Sequence, residues 1–253
     1  GYLKKMLLTL QNVYMIDKKK LPIHGAMVHV LLKNGEAKNI VVIGDSGAGK
    51  SETLEALRLI GKEYIREMRV IYDDMGTFMI ENNKVLSIGT EIGAFVRLDD
   101  LDTGYAYQEM DRAIFLNPDQ TNARVILPIT QYNFIMKKHK VDFLFYANNY
   151  KETDEGLRFF DTLDDALAVF RQGARFAKGT TSEVGLVESY FANPFGCVQA
   201  QEKSDLLLVE HFSKLFKDQI PVGELYTRLA ISGYEGDGPK IAAQKLLEHL
   251  LKK

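Results

Sequence analysis

Between Val41 and Leu57 the chain reads VVIGDSGAGKSETLEAL. Three apolar residues, continuing from Ile40, run into a loop of Gly44, Asp45, Ser46, Gly47, Ala48 and Gly49, then Lys50, Ser51 and Glu52. The order Gly44-x-x-x-x-Gly49-Lys50-Ser51 fits a phosphate-binding loop. Glycine tolerates the φ angles that turn successive backbone N–H groups toward one anion, and it lets the backbone approach closely. The following helix adds its positive N-terminal end. Lys50 can reach the outer phosphates as a point charge, and the Ser51 hydroxyl can ligate Mg²⁺.

Such a loop needs a carboxylate to help hold the metal. About twenty residues on, RVIYDDMG ends an apolar run in Asp73 and Asp74. One is expected near the metal; the other would accept a proton or bind a metal-bound water. The competing reading of Asp-Asp-x-Gly is a plain strand-ending turn. His24, ahead of Gly25 on the run entering the loop, is a candidate proton acceptor because neutral imidazole takes a proton near pH 7. Arg124 lies within an apolar pattern, where an arginine is unusual unless paired or catalytic. Arg97 alternates with Phe95 and reads equally as a solvent-facing strand residue. Lys4 and Lys5 read as solvated or functional. Lys178, Thr180 and Thr181 suit either a ligand-lining loop or an ordinary turn.

These side chains need a scaffold. Ile40 to Ile43 reads as a short buried strand, and Leu54, Leu57, Ile60, Tyr64 and Ile65 recur at helical spacing. Strands are expected over 26–32, 40–43, 69–73, 77–81, 84–88, 93–97, 113–116, 123–127 and 142–147. Asn82-Asn83 joins the fourth and fifth as a hairpin. Helices are expected over 51–66, 163–176, 205–217 and 239–251, the last opened by Asp237-Gly238-Pro239. The acidic, aromatic stretch 98–112 reads as loop and short helix. Hairpins with few helices point to an α+β domain with a mixed or antiparallel sheet around the loop, not a doubly wound one. No stretch reads as a flexible linker, so residues 1–253 form a single domain.

The 253 residues are 46% hydrophobic and 26% charged, ordinary for a globular chain that buries a sizeable core. A formal charge of −2 argues against a nucleic-acid partner held by bulk electrostatics. Lys18-Lys19-Lys20 reads as a solvated loop. One cysteine, Cys197, forbids an internal disulfide and fits a reducing, cytoplasmic compartment. It reads as a packed residue rather than a nucleophile. No apolar run approaches membrane-spanning length, so no membrane partner is expected. A chain that starts at Gly1 in structured-looking sequence reads as a fragment of a longer one.

The series PIHGAMVHV, NIVVIGDSGAGKSETLEAL and RVIYDDMG resembles HPr kinase/phosphorylase. That family pairs His-Gly before a GDSGxGKSE loop and follows with a strand ending in Ala-Asp-Asp. The rest is similar to ATP-dependent phosphoenolpyruvate carboxykinase. LKKMLLTLQNVYMI resembles its Lys-Lys-Gly-Met stretch, and GAFVRL its Gly-x-x-Ala-Lys strand, with Arg97 in place of a phosphate-contacting lysine. TNARVILPI resembles an element whose arginine, here Arg124, contacts the transferred phosphoryl. ARFAKGTTSEVGLVESYFANPFG resembles its nucleotide-lining segment. The resemblance implies a mononucleotide-binding domain that binds ATP with Mg²⁺ or Mn²⁺ and transfers the γ-phosphoryl to a small carboxylic acid. The alternatives are an HPr-kinase-like enzyme acting on a protein or small-molecule hydroxyl, and a non-catalytic nucleotide sensor. Three departures bear on this choice. Met27 stands where the carboxykinase has a metal-binding histidine, the clamp arginine after Gly-Thr-Glu is missing, and the preceding substrate domain is absent. HPr kinase's Glu-x-Arg-Gly-x-Gly stretch is missing as well.

Overall fold

The computed structural model describes residues 2–97, 114–116, 124–177 and 184–252. The chain runs α1 (Tyr2–Asp17), β1 (Leu21–Leu32), β2 (Ala37–Ile43), α2 (Lys50–Ile60), β3 (Ile65–Tyr72), β4 (Met75–Glu81), β5 (Lys84–Gly89) and β6 (Gly93–Arg97). It continues through β7 (Ile114–Leu116), β8 (Arg124–Pro128), α3 (Tyr132–Ile135), β9 (His139–Lys140), β10 (Phe143–Asn148), β11 (Leu157–Phe159) and α4 (Leu163–Gln172). Last come β12 (Ala174–Phe176), β13 (Leu186–Glu188), α5 (Gln201–Lys217), β14 (Val222–Tyr226) and α6 (Asp237–Leu250).

Among the described residues the main sheet has nine strands in the order β11-β14-β10-β2-β1-β4-β5-β9, with β3 also paired to β1. Its pairs are mostly antiparallel, but β10 runs parallel to both β2 and β14. The fold is therefore mixed α+β. Both faces of its centre are covered, which is why the central strands read as unbroken apolar runs. Val41, Ile43, Leu144 and Tyr146 pack one way, against Leu167 and Phe170 of α4 and Leu208 and Phe212 of α5. Ile40, Val42, Phe143 and Phe145 pack the other way, against Leu54 and Leu57 of α2 and Leu246 and Leu250 of α6. The period-2 alternation of strand side chains divides the core into these two layers.

Several expectations need correction. The helix expected over 51–66 stops at Ile60; Gly61 caps it through a bond to Leu57 O, a short 3-10 turn follows, and Ile65 already belongs to β3. The helix expected over 163–176 stops at Gln172, and 174–176 is β12. The helix expected from 205 begins at Gln201. The strand expected over 26–32 starts at Leu21, long enough for β1 to pair with β4 through Leu21–His24 and with β2 and β3 beyond. The hairpin is as expected: Asn82 (φ 49°) and Asn83 (φ 60°) make the tight turn between β4 and β5. Lys18 and Lys19 lie in the exposed turn after α1. The stretch 98–112 lies outside the described residues.

Candidate functional site

The Gly44–Gly49 loop joins the carboxyl end of β2 to the first turn of α2. It is braced from outside through its carbonyls. Asn149 Nδ2 donates to Gly47 O at 2.9 Å, and Thr227 Oγ1 donates to Ala48 O at 2.7 Å. Gly49 adopts φ 91°, and a Cβ there would sit 2.6 Å from the Thr227 side chain. Both the left-handed backbone and the tight fit require glycine. Asp45 closes the near side, taking the Ser46 N–H on Oδ1 at 2.7 Å and Arg175 Nε on Oδ2 at 2.7 Å. Among the described residues, no acceptor meets the backbone N–H groups of Gly47, Gly49, Lys50 or Ser51. The carbonyls are engaged and the donors are open, on the positive end of a helix.

Lys50 is buried at this turn, its ammonium held by Gly44 O at 2.6 Å and Asp45 O at 3.2 Å. Ser51 Oγ donates to Asp73 Oδ1 at 3.3 Å. Glu52 is exposed in the first turn of α2.

Asp73 and Asp74 form the two-residue turn where β3 hands over to β4 alongside β1. Gly25 lies against this turn, donating its N–H to Asp74 O at 2.9 Å. On its other side a Cβ would be 2.6 Å from Val42 O, so β1 and β2 close up here only with glycine. The two carboxylates part company. Asp73 faces Ser51. Asp74 is held on both oxygens, Oδ1 by His24 Nε2 at 3.0 Å and Oδ2 by Lys4 Nζ at 3.0 Å.

His24 is buried, and its other nitrogen donates to Ala192 O at 2.9 Å, with Asp45 Oδ1 3.4 Å away. Lys4, carried in by α1, also lies 3.3 Å from Glu91 Oε1. A chain of alternating basic and acidic side chains thus runs Arg175, Asp45, His24, Asp74, Lys4, Glu91.

Burial works against every one of these carboxylates, and the neighbours decide the outcome. Burial raises the Asp73 carboxyl, and Asp74 adds to it; Lys50 and the Ser51 bond oppose the rise without cancelling it. Asp74 is desolvated too, yet the His24 bond and charge, with Lys4, hold it well below the usual carboxylate range. Asp45 also lies below its ordinary value, because His24 and Arg175 outweigh burial. Glu91 rises to about 7, through burial first and Asp74 next, with Lys4 opposing.

The structure brings His24, the loop residues, Lys50, Ser51, Asp73 and Asp74 together. Of Arg97 and Arg124 the backbone is described: they face each other in register across β6 and β8, in a separate three-stranded sheet. Lys178, Thr180 and Thr181 lie outside the described residues. Lys5 is exposed. Glu91, Arg175, Asn149 and Thr227 went unread in the sequence. Arg175 lies in the segment read only for its resemblance, the other three stand outside any motif, and only contacts between residues distant in sequence reveal all four.

Among the described residues no group of three or more His, Cys, Asp and Glu side chains is placed to hold a metal. The Ser51 hydroxyl and Asp73 carboxylate are two hard oxygen donors. That set suits Mg²⁺ or Mn²⁺ completing its shell with phosphate oxygens and water, rather than an all-protein cage. Cys197 is fully buried and its thiol is pushed up to about 12 by burial, in keeping with a packed, unreactive residue.

No protein-family model matches the chain, and no curated protein matches it. Among solved structures it is similar to the Hpr(Ser) kinase/phosphatase from Coxiella burnetii, at 15% identity and a TM-score of 0.30. The match covers 56% of this chain and 78% of that one. A likeness this distant carries no argument about activity, which has to come from the site's own geometry.

Proposed function

We propose that this domain is an ATP- and metal-dependent phosphotransferase. The observation that carries the reading is the set of open N–H groups of Gly47, Gly49, Lys50 and Ser51 at the start of α2. Donors at a helix N-terminus whose carbonyls are braced elsewhere suit a polyphosphate. On binding, Lys50 would exchange its two loop carbonyls for phosphate oxygens and offset charge on the moving phosphoryl. Ser51 and Asp73 would hold Mg²⁺ or Mn²⁺, which when bound neutralises the phosphates.

The two aspartates take different roles in this reading. Both oxygens of Asp74 and both nitrogens of His24 are engaged, so that pair positions the turn. Asp73 is left for the reacting groups: one oxygen, beside Ser51, would hold the metal, and the other would take the acceptor's proton as the acceptor oxygen attacks the γ-phosphorus and ADP leaves. Arg124 and Arg97 keep the roles that the family resemblance implies, contacts to the transferred phosphoryl and the nucleotide.

A hydroxyl acceptor fits best, because one carboxylate suffices to deprotonate it. Transfer to a small carboxylic acid, the carboxykinase-like alternative, draws support from Lys4, a cation at the edge of the site. A cytoplasmic setting accompanies either reading, supported by the lone buried thiol; among the described residues no helix is long and apolar enough to cross a membrane.

The test is ADP release with ATP and Mg²⁺ against three acceptor sets: serine-bearing proteins, small alcohols and oxaloacetate. Stimulation by a hydroxyl supports the first reading, and stimulation by oxaloacetate the second. ATP binding without stimulation by any set leaves a nucleotide sensor.

A further inference from the structure

Thr227 directly follows β14 and is wholly buried. Its N–H donates to Asn148 O at 2.8 Å. A Cβ on Gly238, in the first turn of α6, would lie 2.1 Å from Thr227 O, so the start of that helix packs directly on the Thr227 backbone. The side chain therefore projects from a rigid base. Its hydroxyl lies 2.7 Å from Ala48 O and 3.2 Å from Asn148 O. A hydroxyl has one proton to give, and the shorter contact takes it.

Ala48 C=O and Gly49 N–H belong to one peptide group. The group is planar and trans, so the two bonds point in opposite directions. Holding Ala48 O toward Thr227 thus turns the Gly49 N–H away from the end of β14, where among the described residues nothing accepts it. The second brace of the loop acts differently. Asn149 holds Gly47 O, but the N–H of that peptide, on Ala48, already donates to Asp45 O at 3.1 Å. Asn149 shapes the turn, whereas Thr227 aims a donor. The tight fit at Gly49 serves the same end. A Cβ there would meet the Thr227 hydroxyl at 2.6 Å and push it off the carbonyl.

We infer that Thr227 is a positioning residue for phosphate binding. Its hydroxyl never touches the ligand; it fixes the direction in which the Gly49 N–H donates to a polyphosphate oxygen. A peptide left free would have to be ordered as the ligand arrives, and one held beforehand spares that cost. The inference rests on the phosphate-site reading and adds to it the side chain that orients one of the donors.

Calorimetric titration of ATP with Mg²⁺ into the whole chain tests it, using the native protein and the variants Thr227→Val, Thr227→Ser and Thr227→Ala. Native against Thr227→Val deletes the hydroxyl with the methyl kept, and Thr227→Ser against Thr227→Ala deletes it with the methyl gone. Each deletion should weaken binding about tenfold, the scale of one hydrogen bond to a charged group. Thr227→Ser should stay close to native. In ¹H–¹⁵N spectra, inorganic tripolyphosphate should shift the Gly49 amide in the native protein and in Thr227→Ser, and far less in the other two. Circular dichroism confirms folding. The native protein alone supplies a further arm: before any ligand is added, ¹⁵N relaxation should give Gly49 the order parameter of rigid backbone, about 0.85. A mobile Gly49 amide overturns the inference. Native-like binding by Thr227→Val overturns it too, while native binding keeps the phosphate-site reading. Equal losses in Thr227→Ser and Thr227→Ala with none in Thr227→Val make the residue a packing wall and have the same effect. Absence of binding to the native protein removes the reading itself, and the inference with it.

Discussion

Adjacent in sequence, Asp73 and Asp74 are kept apart in chemistry by what each one touches. Asp73 has one neutral donor, Ser51, and a desolvated carboxyl; Asp74 has His24 and Lys4. Asp73→Asn should therefore lower kcat by on the order of 100-fold or more, as for loss of a positioned general base. ATP affinity measured without metal should be unchanged; steady-state rates across a Mg²⁺ titration check the first, and calorimetric titration of metal-free ATP checks the second. Glu91 gives a pH prediction whose sign is fixed. Its folded carboxyl titrates near 7 against an ordinary 4.5, so between those values the folded state binds more protons than the unfolded one. Its contribution to stability is thus fully present at the acid end of that window and is lost as pH rises through 7. Melting temperatures across that range should show a downward component in the native protein that Glu91→Gln removes. An unchanged slope in the variant would show Glu91 to be solvated. Lys4 was visible in the sequence only as half of a Lys-Lys pair; its role depends on a contact seventy residues away.

Elements were legible where one physical rule dominates. The β4–β5 hairpin is such a case, because Asn82 and Asn83 both take positive φ. Asn83→Gly should leave stability within a few tenths of a kcal/mol, while Asn83→Val should cost about 1–2 kcal/mol for a β-branched residue in the left-handed region. Thermal melts of the two variants separate these outcomes. Other elements were hidden for stated reasons. Strand β14, VGELY, carries a buried Glu224 that reads as polar until Asn148 and Arg158 are found bonded to it at 2.8 and 2.9 Å. Helix α1 has apolar residues on two faces, so no single stripe stands out. The end of α2 was overrun because Ile65, apolar and correctly spaced, belongs to the strand beyond Gly61.

At the scale of the whole molecule, the loops after the parallel strands β2, β10 and β14 supply the glycine loop and its braces, Asn149 and Thr227. That convergence at the carboxyl ends of parallel strands needed the sheet order, which no local pattern contains. The layer that α4 and α5 form against one face of the sheet is aromatic: Phe170 meets Phe212 of α5 at 4.8 Å and Tyr146 of β10 at 5.3 Å between ring centroids. Phe170→Ala should cost about 3–5 kcal/mol in denaturant unfolding, with nucleotide affinity retained by the folded fraction. The central claim is that the open N–H groups of the loop and Lys50 bind a nucleotide's phosphates. Calorimetric titration of ATP with Mg²⁺ into the native protein and Lys50→Ala tests it most directly. The account predicts saturable binding to the native protein and a loss of roughly tenfold to hundredfold in the folded variant, the scale of hydrogen bonds to a charged group. No binding to the native protein, or equal affinity in both, would contradict it.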